Sequence, residues 1–355
     1  MRGGGRRSDQ PGSARPVRYR RSREIRPRAR PRDLTSMPVF VSAPGRVNLI
    51  GDHTDYTQGL VLPMVLDFTT TITGDFTDDR SWRLVSDDEP LPVVLALPIE
   101  RPDRVEPRWG RYVAGVLHEL ERAGRTVRGF SGRVSTTIPI GSGLSSSAAL
   151  EIAVARVATA DDPMTDTAMA QLCQRAEHLA SGVPCGIMDQ LCIASGRAGH
   201  ATLIDCRDLT IEHVSIPSAV AVDVEFVAPR TLAGSEYADR VAETAAVERI
   251  IGPLRDASLE ALASISDDTL RRRARHVISE NQRVRDFVAA LRDANFAEAG
   301  RLMTESHRSL SHDFGTSNET MDAAVGRTLK GPGVLGARMT GGGFGGCVVA
   351  LRSAE

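Results

Sequence analysis

The stretch FSGRVSTTIPIGSGLSSSAALEIAVARVATA, Phe130 to Ala160, changes character twice. Its first part alternates apolar and polar residues like a half-buried strand, its centre is Gly and Ser, and its remainder is Ala-rich with helical periodicity from near Ser146. A strand that passes through a glycine loop into a helix belongs to an α/β architecture, and it leaves the loop at one end of a sheet. Gly141 and Gly143 let backbone N–H groups approach an anion, because no Cβ stands in the way. The helix start adds four unpaired N–H groups and the positive end of its dipole. Ser145, Ser146 and Ser147 supply hydroxyls that can cap the helix, bind phosphate or ligate Mg2+. The segment Gly141, Ser142, Gly143, Leu144, Ser145, Ser146 and Ser147 is therefore the candidate nucleotide loop. Its bland competitor is a flexible turn with an ordinary serine cap.

The loop lacks the GK[ST] ending of one common phosphate-binding motif, and Lys330 is the only lysine in the chain. A dinucleotide fingerprint is excluded too, since the nearest acids, Asp161 and Asp162, follow the helix instead of ending a second strand. Any positive side chain opposing phosphate charge must then be an arginine or be replaced by a metal.

Elsewhere MPVFVSAPGRVNLI, Met37 to Ile50, reads as a strand, a Pro-Gly turn carrying Arg46, and a second apolar run. LVLPMVLDFTTTITGDF is rich in β-branched residues, with Pro63 suggesting an edge or an irregular start. Val113, Val116, Leu117 and Leu120 have helix spacing that stops at Gly124, and a further helix is expected from Thr165 to Ala180. Strand signals return at AVAVDVEFVA, helices over 236–251 and 268–304 follow, and a glycine loop, MTGGGFGGC, leads into a terminal strand. This pattern implies two α/β units, residues 37–214 and 215–355, meeting near 210–220.

Composition bounds the remaining classes. Over 355 residues the formal net charge is −1, yet residues 1–36 hold twelve arginines against three acids. The basic character belongs to that Gly- and Pro-rich tail, which is expected to be a disordered extension ahead of Met37. No specific nucleic-acid partner is expected from it. No run of about 18 apolar residues is present, so a membrane span is not expected. Five cysteines form no CxxC pair and suit small core positions in a reducing, cytoplasmic compartment.

The acids have several readings. Glu177 lies on the Thr165–Ala180 helix, and Asp189 follows twelve residues later beyond SGVPCG, so only a turn can bring the two together. Such a pair can divide labour between holding a metal and accepting a proton. A capping or surface carboxylate is the alternative for each. Arg46, close in sequence to the cluster GDHTDYTQG, is either a charge partner for an acid or a surface ion-pairing residue. Asp52, His53 and Asp55 suit recognition of vicinal hydroxyls better than a transition-metal site, since no second His or Cys set completes one. Tyr237 either contributes a phenol from the second unit or only packs.

Taken together, GRVNLIGDHTDYTQGLVLP, PIGSGLSSSAALE and MTGGGFGGC resemble the galactokinases, within the superfamily that includes homoserine, mevalonate and phosphomevalonate kinases. AEHLASGVPCGIMDQ, IDCRDL, LAGSEY and RRRARHVISENQRV extend the resemblance from Met37 to the C terminus. It implies a ribosomal-protein-S5-like N-terminal domain, a ferredoxin-like C-terminal domain, and a sugar bound between them by a monomer or weak dimer. It further implies ATP and Mg2+, with Asp189 as catalytic carboxylate, Arg46 as its charge partner, and Glu177 with Ser146 or Ser147 as metal ligands. Arg46, Asp52, His53, Asp55, Gly186, Asp189 and Tyr237 would touch the sugar, whose 1-hydroxyl receives the γ-phosphoryl group. Three departures stand out: Asp52 where the family usually has Glu, Thr57 where it has Asn, and TSNETMD around Asn318 where most members show Pro before the acid. Losing a methylene at position 52 moves the carboxylate by about 1.5 Å, enough to change a direct contact with a fixed hydroxyl. An amino sugar, arabinose or a cyclitol is the alternative substrate.

Overall fold

A computed structural model describes residues 38–229 and 234–354, together with the short strand Val17–Arg18. The described residues build two sheets, one largely before and one largely after residue 215. Strand β1 (Val17–Arg18) lies on the second sheet, and β2 (Val39–Asn48), β3 (Leu60–Val61), β4 (Pro63–Thr77), β5 (Ser81–Ser86) and β6 (Val93–Ala96) open the first. Helix α1 (Gly110–Arg122) and strand β7 (Gly129–Thr136) precede α2 (Ser146–Ala158), α3 (Asp166–Ser181) and α4 (Met188–Ser195). Strands β8 (His200–Asp205) and β9 (Thr210–Ser215) complete the first sheet, with the path β3-β8-β4-β7-β5-β6 and β2 and β9 attached to β4 and β8.

The second unit runs through β10 (Val220–Ala228), α5 (Gly234–Ile251), α6 (Asp268–Arg292), α7 (Phe296–Ser309), α8 (Glu319–Thr328), β11 (Val334–Thr340) and β12 (Gly346–Ser353). Its antiparallel sheet has the order β1-β10-β12-β11.

Periodicity explains most of these elements. Val113, Val116, Leu117 and Leu120 form the wholly buried stripe of α1, and a left-handed Gly124 follows its end. Helix α2 is buried over Ala148–Ala155, and its small side chains let it lie close against β2 and β4. Truncating a fully enclosed residue of this core such as Leu117 to Ala should cost about 2–5 kcal/mol.

Several expectations change. Arg46 lies within β2 instead of in a turn between strands: the register skips between Pro44 and Arg46, so the Pro-Gly pair forms a bulge and pairing with β4 continues. Pro63 opens β4, which is flanked by β7 and β8, so it marks a strand start and not an edge. The helical segment 268–304 is two helices, because Ala294 takes a left-handed φ of 54° and the Asn295 side chain caps α7. Val17 and Arg18, expected to be disordered, pair with Val224 and Asp223, where β10 offers an open edge. The rest of the tail lies outside the described residues. Asn318 caps α8 by accepting from the Met321 N–H, which gives TSNETMD a local role.

Candidate active site

Asp189 sits in the first turn of α4, and the bulged strand β2 carries Arg46 to it. The guanidinium donates from Nε to Asp189 Oδ1 at 2.7 Å and from Nη2 to Oδ2 at 2.6 Å, while Nη1 donates to the Gly143 carbonyl at 2.7 Å. Burial alone would lower the Arg46 pKa, but the charge and hydrogen bonds of Asp189 hold it above its ordinary value. The arginine is 3% exposed and the carboxylate 27%, so the cation is enclosed and the acid reaches a cavity of about 450 Å³. Arg46 is therefore no surface ion-pairing residue.

The nucleotide loop borders the same cavity. Gly141 and Gly143 have φ of 73° and 78°, a backbone form that strains other L-residues, and Ser145 adopts it at 64°. Gly141, Gly143, Ser145, Ser146 and Ser147 line the cavity. Ser142 and Leu144 do not. The Ser142 hydroxyl donates to the Pro139 carbonyl, and Leu144 is buried with its carbonyl accepting from the Arg46 N–H. The competing reading, an ordinary serine cap, does not hold for α2: the Ser145 hydroxyl donates to Asp189 Oδ2 and no side chain caps the helix. Without a capping side chain, the first-turn N–H groups beside the cavity remain available to an anion.

Helix α3 presents Glu177 to the cavity. Its Oε1 accepts from the Ser147 hydroxyl at 3.0 Å, and its Oε2 accepts from Gln190 Nε2. The same Gln190 amide reaches Glu151 Oε2 at 3.2 Å, and Glu151 is fully buried. Burial and then the charge of Asp189 push the Glu177 carboxyl up to about 6; burial and Glu177 raise that of Glu151 well above the carboxylate range. A hydroxyl beside a carboxylate on the wall of this cavity is an oxygen donor set suited to Mg2+, which needs few protein ligands. Among the described residues, no group of three or more His, Cys, Asp or Glu is arranged for a metal ion.

The loop Gly51–Gly59 brings His53, Asp55 and Asp52 to the same cavity. His53 Nδ1 meets the Tyr56 hydroxyl at 2.9 Å, and its ring lies 5.5 Å from Tyr237 and 4.7 Å from Phe314. Tyr237, from α5, lines the cavity, and burial followed by the charge of Asp55 raises its phenol well above its usual pKa. Gly186 packs so closely on Asp55 that a Cβ there would overlap the carboxyl group. Enclosure, then the nearby Asp189, raises the Asp55 carboxyl to about 7. Asp52 differs from these neighbours: it is 1% exposed, and Arg338, Asn48 and the Gly341 N–H all donate to its carboxylate.

Several cavity residues escaped the sequence reading. Trp109 and Tyr112 line it from the start of α1, together with Ile140, Asp88 and Glu89. Their signal was weak, because WGRYVAGV reads as an amphipathic helix, though Trp109 is one of only two tryptophans in the chain. Gln190, Glu151 and Arg338 also went unnoticed, since nothing in a linear pattern marks a buried polar bridge.

Comparison with known proteins places this geometry in a family. The models described as GHMP kinases N terminal domain, galactokinase galactose-binding signature and GHMP kinases C terminal match residues 111–197, 34–75 and 287–354. The galactokinases of Bos taurus and Homo sapiens are each 44% identical over 332 residues, covering 89% of this chain and 84% of theirs. Lactococcus lactis galactokinase, in a crystal structure complexed with galactose, superposes with a TM-score of 0.84 at 34% identity, over 90% of this chain and 86% of that one. Methanococcus jannaschii mevalonate kinase shares the fold, with a TM-score of 0.68 at 21% identity. An enclosed arginine clamping a cavity-facing carboxylate, the uncapped helix beside it, and relatives of this similarity all agree that the chain belongs to the galactokinase family of the GHMP kinases.

Proposed function

We propose that the chain transfers the γ-phosphoryl group of ATP to the anomeric 1-hydroxyl of galactose, giving galactose 1-phosphate and ADP. The observation that carries this reading is the junction of three walls in one cavity: the Arg46-clamped Asp189, the glycine-serine loop ahead of α2, and the sugar-side loop Gly51–Gly59. Asp189 accepts the proton of the 1-hydroxyl as the new O–P bond forms and the bond from Pγ to the bridging oxygen of ADP breaks. Arg46 and Ser145 orient that carboxylate. The loop N–H groups and the start of α2 bind the phosphates, and Trp109 offers its face to the base. Glu177 and Ser147 would hold Mg2+, with Ser146 beside them; when bound, the ion neutralises phosphate charge. His53, Asp55, Tyr237 and the backbone at Gly186 read the sugar hydroxyls. The S5-like and ferredoxin-like assignments for residues 37–214 and 215–355 belong to the same reading and are supported by the two separate sheets.

The test is an ADP-release screen over galactose, N-acetylgalactosamine, arabinose, glucose and cyclitols, with the product phosphate located by NMR. Galactose should give the highest kcat/KM, with phosphate on O1. A preference for another member would replace the substrate and retain the reaction, and the engaged carboxylate of Asp52 is the observation that favours including those alternatives. Absence of ADP release with every sugar would overturn the kinase reading.

A further inference from the structure

Asp52 begins the sugar-side loop, yet its carboxylate already holds three donors. Oδ1 accepts from Asn48 Nδ2 at 2.9 Å and from the Gly341 N–H at 3.2 Å, and Oδ2 accepts from Arg338 Nη2. An ionised carboxylate has about four acceptor sites, so little capacity remains for a ligand. Arg338 is 0% exposed and comes from β11, so the ion pair joins the two units of the chain. Helix α6 grips the same loop from one side: Glu280 accepts from the Gly51 N–H, His276 Nε2 donates to the Asp52 carbonyl at 3.1 Å, and Asn281 accepts from the Leu60 N–H at 2.8 Å. Beyond Asp52, Gly341 lies close enough to the Gly143 carbonyl of the glycine-serine loop that an added Cβ would touch it, and Cys347 Sγ donates to the Ser142 carbonyl at 3.3 Å.

We infer that Asp52 is a positioning residue and not a sugar ligand: its carboxylate ties the loop Gly51–Gly59 to Arg338 and Gly341, and so sets the sugar wall of the cavity against the phosphate wall. The inference rests on the kinase reading and sharpens its specificity. Sugar hydroxyls are read by His53, Asp55, Tyr237 and Asp189, and none is read by residue 52. The geometry also requires a short acid. With the Asp52 carbonyl held by His276 and the guanidinium fixed in a strand, one more methylene adds about 1.5 Å to a span with no slack.

The test is a comparison of kcat and KM for galactose and its 2-, 3-, 4- and 6-deoxy analogues in the unaltered chain, Asp52→Asn, Asp52→Glu and Asn48→Ala. Removing the charge at position 52 should raise the KM of galactose and of every analogue by the same factor, about tenfold, so that the ranking of the sugars is unchanged. Asp52→Glu should show the same uniform penalty. Asn48→Ala keeps the ion pair and removes one donor, so it should give a smaller uniform rise, about threefold, and provides the measurement if the substitutions at position 52 fail to fold. KM for ATP should rise in parallel because the glycine loop contacts the nucleotide loop. A ligand role would appear differently: one deoxy sugar, lacking the hydroxyl concerned, would escape the penalty. An escape greater than about threefold for any single analogue in any variant overturns the inference. Failure of the unaltered chain to phosphorylate galactose would count against the parent reading, and it is read independently of the profile across sugars.

Discussion

Arg46 and Asp189, 143 positions apart in sequence, meet through two parallel hydrogen bonds of 2.7 and 2.6 Å. That fork fixes the plane of the carboxylate as well as its charge, which a single contact would not do. In Asp189→Asn the shape is kept and the proton acceptor is lost. Turnover should fall by about 10²–10⁴-fold while ATP affinity stays within about threefold. Steady-state kinetics with a nucleotide titration checks both, and undiminished turnover would remove Asp189 from its role.

Asp55 should make sugar binding pH-dependent. Its carboxyl, raised to about 7 by enclosure and by Asp189, has to ionise before it can accept hydrogen bonds from two hydroxyls. The KM for the sugar should therefore rise as pH falls from 8 to 6, with kcat less affected. The stability effect has the opposite sign. A carboxyl with a raised folded-state pKa makes the folded chain bind more protons than the unfolded one between about pH 4 and 7, so stability declines as pH rises through that window. Asp55→Asn should then be more stable than the unaltered chain at pH 8, by up to about 4 kcal/mol, and melt higher there while binding sugar poorly. Equal melting of the two at pH 8 would contradict the assignment.

Magnesium dependence should run through Gln190. Its amide and the Ser147 hydroxyl both hold down the pKa of Glu177, which nonetheless reaches about 6. In Gln190→Leu that support is lost and more of Glu177 is protonated near neutral pH. The Mg2+ concentration for half-maximal turnover should rise by about three- to tenfold at pH 7, and less at pH 8.5. An Mg2+ requirement that does not change with pH in the variant would disprove the link.

Trp109→Ala separates the two substrates. Trp109 lines the same cavity as Ile140 and the glycine-serine loop. Losing the face should raise the KM for ATP by about tenfold and leave that for the sugar nearly unchanged. A change confined to the sugar would move the base to another wall.

His276 should set the acid limit of stability. Burial, opposed by Glu280, lowers its pKa to about 4, and the ring sits between the Asp52 carbonyl and Ser309. A histidine with a depressed folded-state pKa leaves the unfolded chain binding more protons, so stability is lost as pH falls from 6.5 toward 4. The loss should reach up to about 3 kcal/mol, and His276→Gln should flatten the melting-temperature profile over that range.

Much of the scaffold was legible from pattern. The α1 stripe, the start of α2 at Ser146, the extent of α3 and the terminal strand after the glycine loop all follow from periodicity and from glycine placement, whereas β11 before that loop was not foreseen. The bulge at Pro44–Arg46 was not, because a Pro-Gly pair fits a turn equally well and only pairing with β4 decides between them. The break at Ala294 was invisible for a similar reason, since neither glycine nor proline marks it. At the site, the residue types of GDHTDYTQG and of the glycine-serine loop singled out two segments that do line one cavity, while the roles proposed for them came from the resemblance alone. Local sequence could not say that Ser142 and Leu144 turn inward, that Ser145 serves Asp189, or that Asp52 faces Arg338. Each of those depends on a partner far away in the chain.

The grip of α6 on the sugar loop has a consequence for how the chain comes into being. Strands β2 to β9 use only residues 39–215, so the first sheet can assemble as it leaves the ribosome. The amides of Gly51 and Leu60, however, wait for Glu280 and Asn281, 229 and 221 residues downstream, and the carboxylate of Asp52 waits for Arg338, 286 residues on. A nascent or truncated chain that ends before α6 would carry a finished sheet beneath an unfinished binding loop. Competence to hold a sugar would thus arrive last, when the C-terminal strands close, and a prematurely terminated product would remain idle.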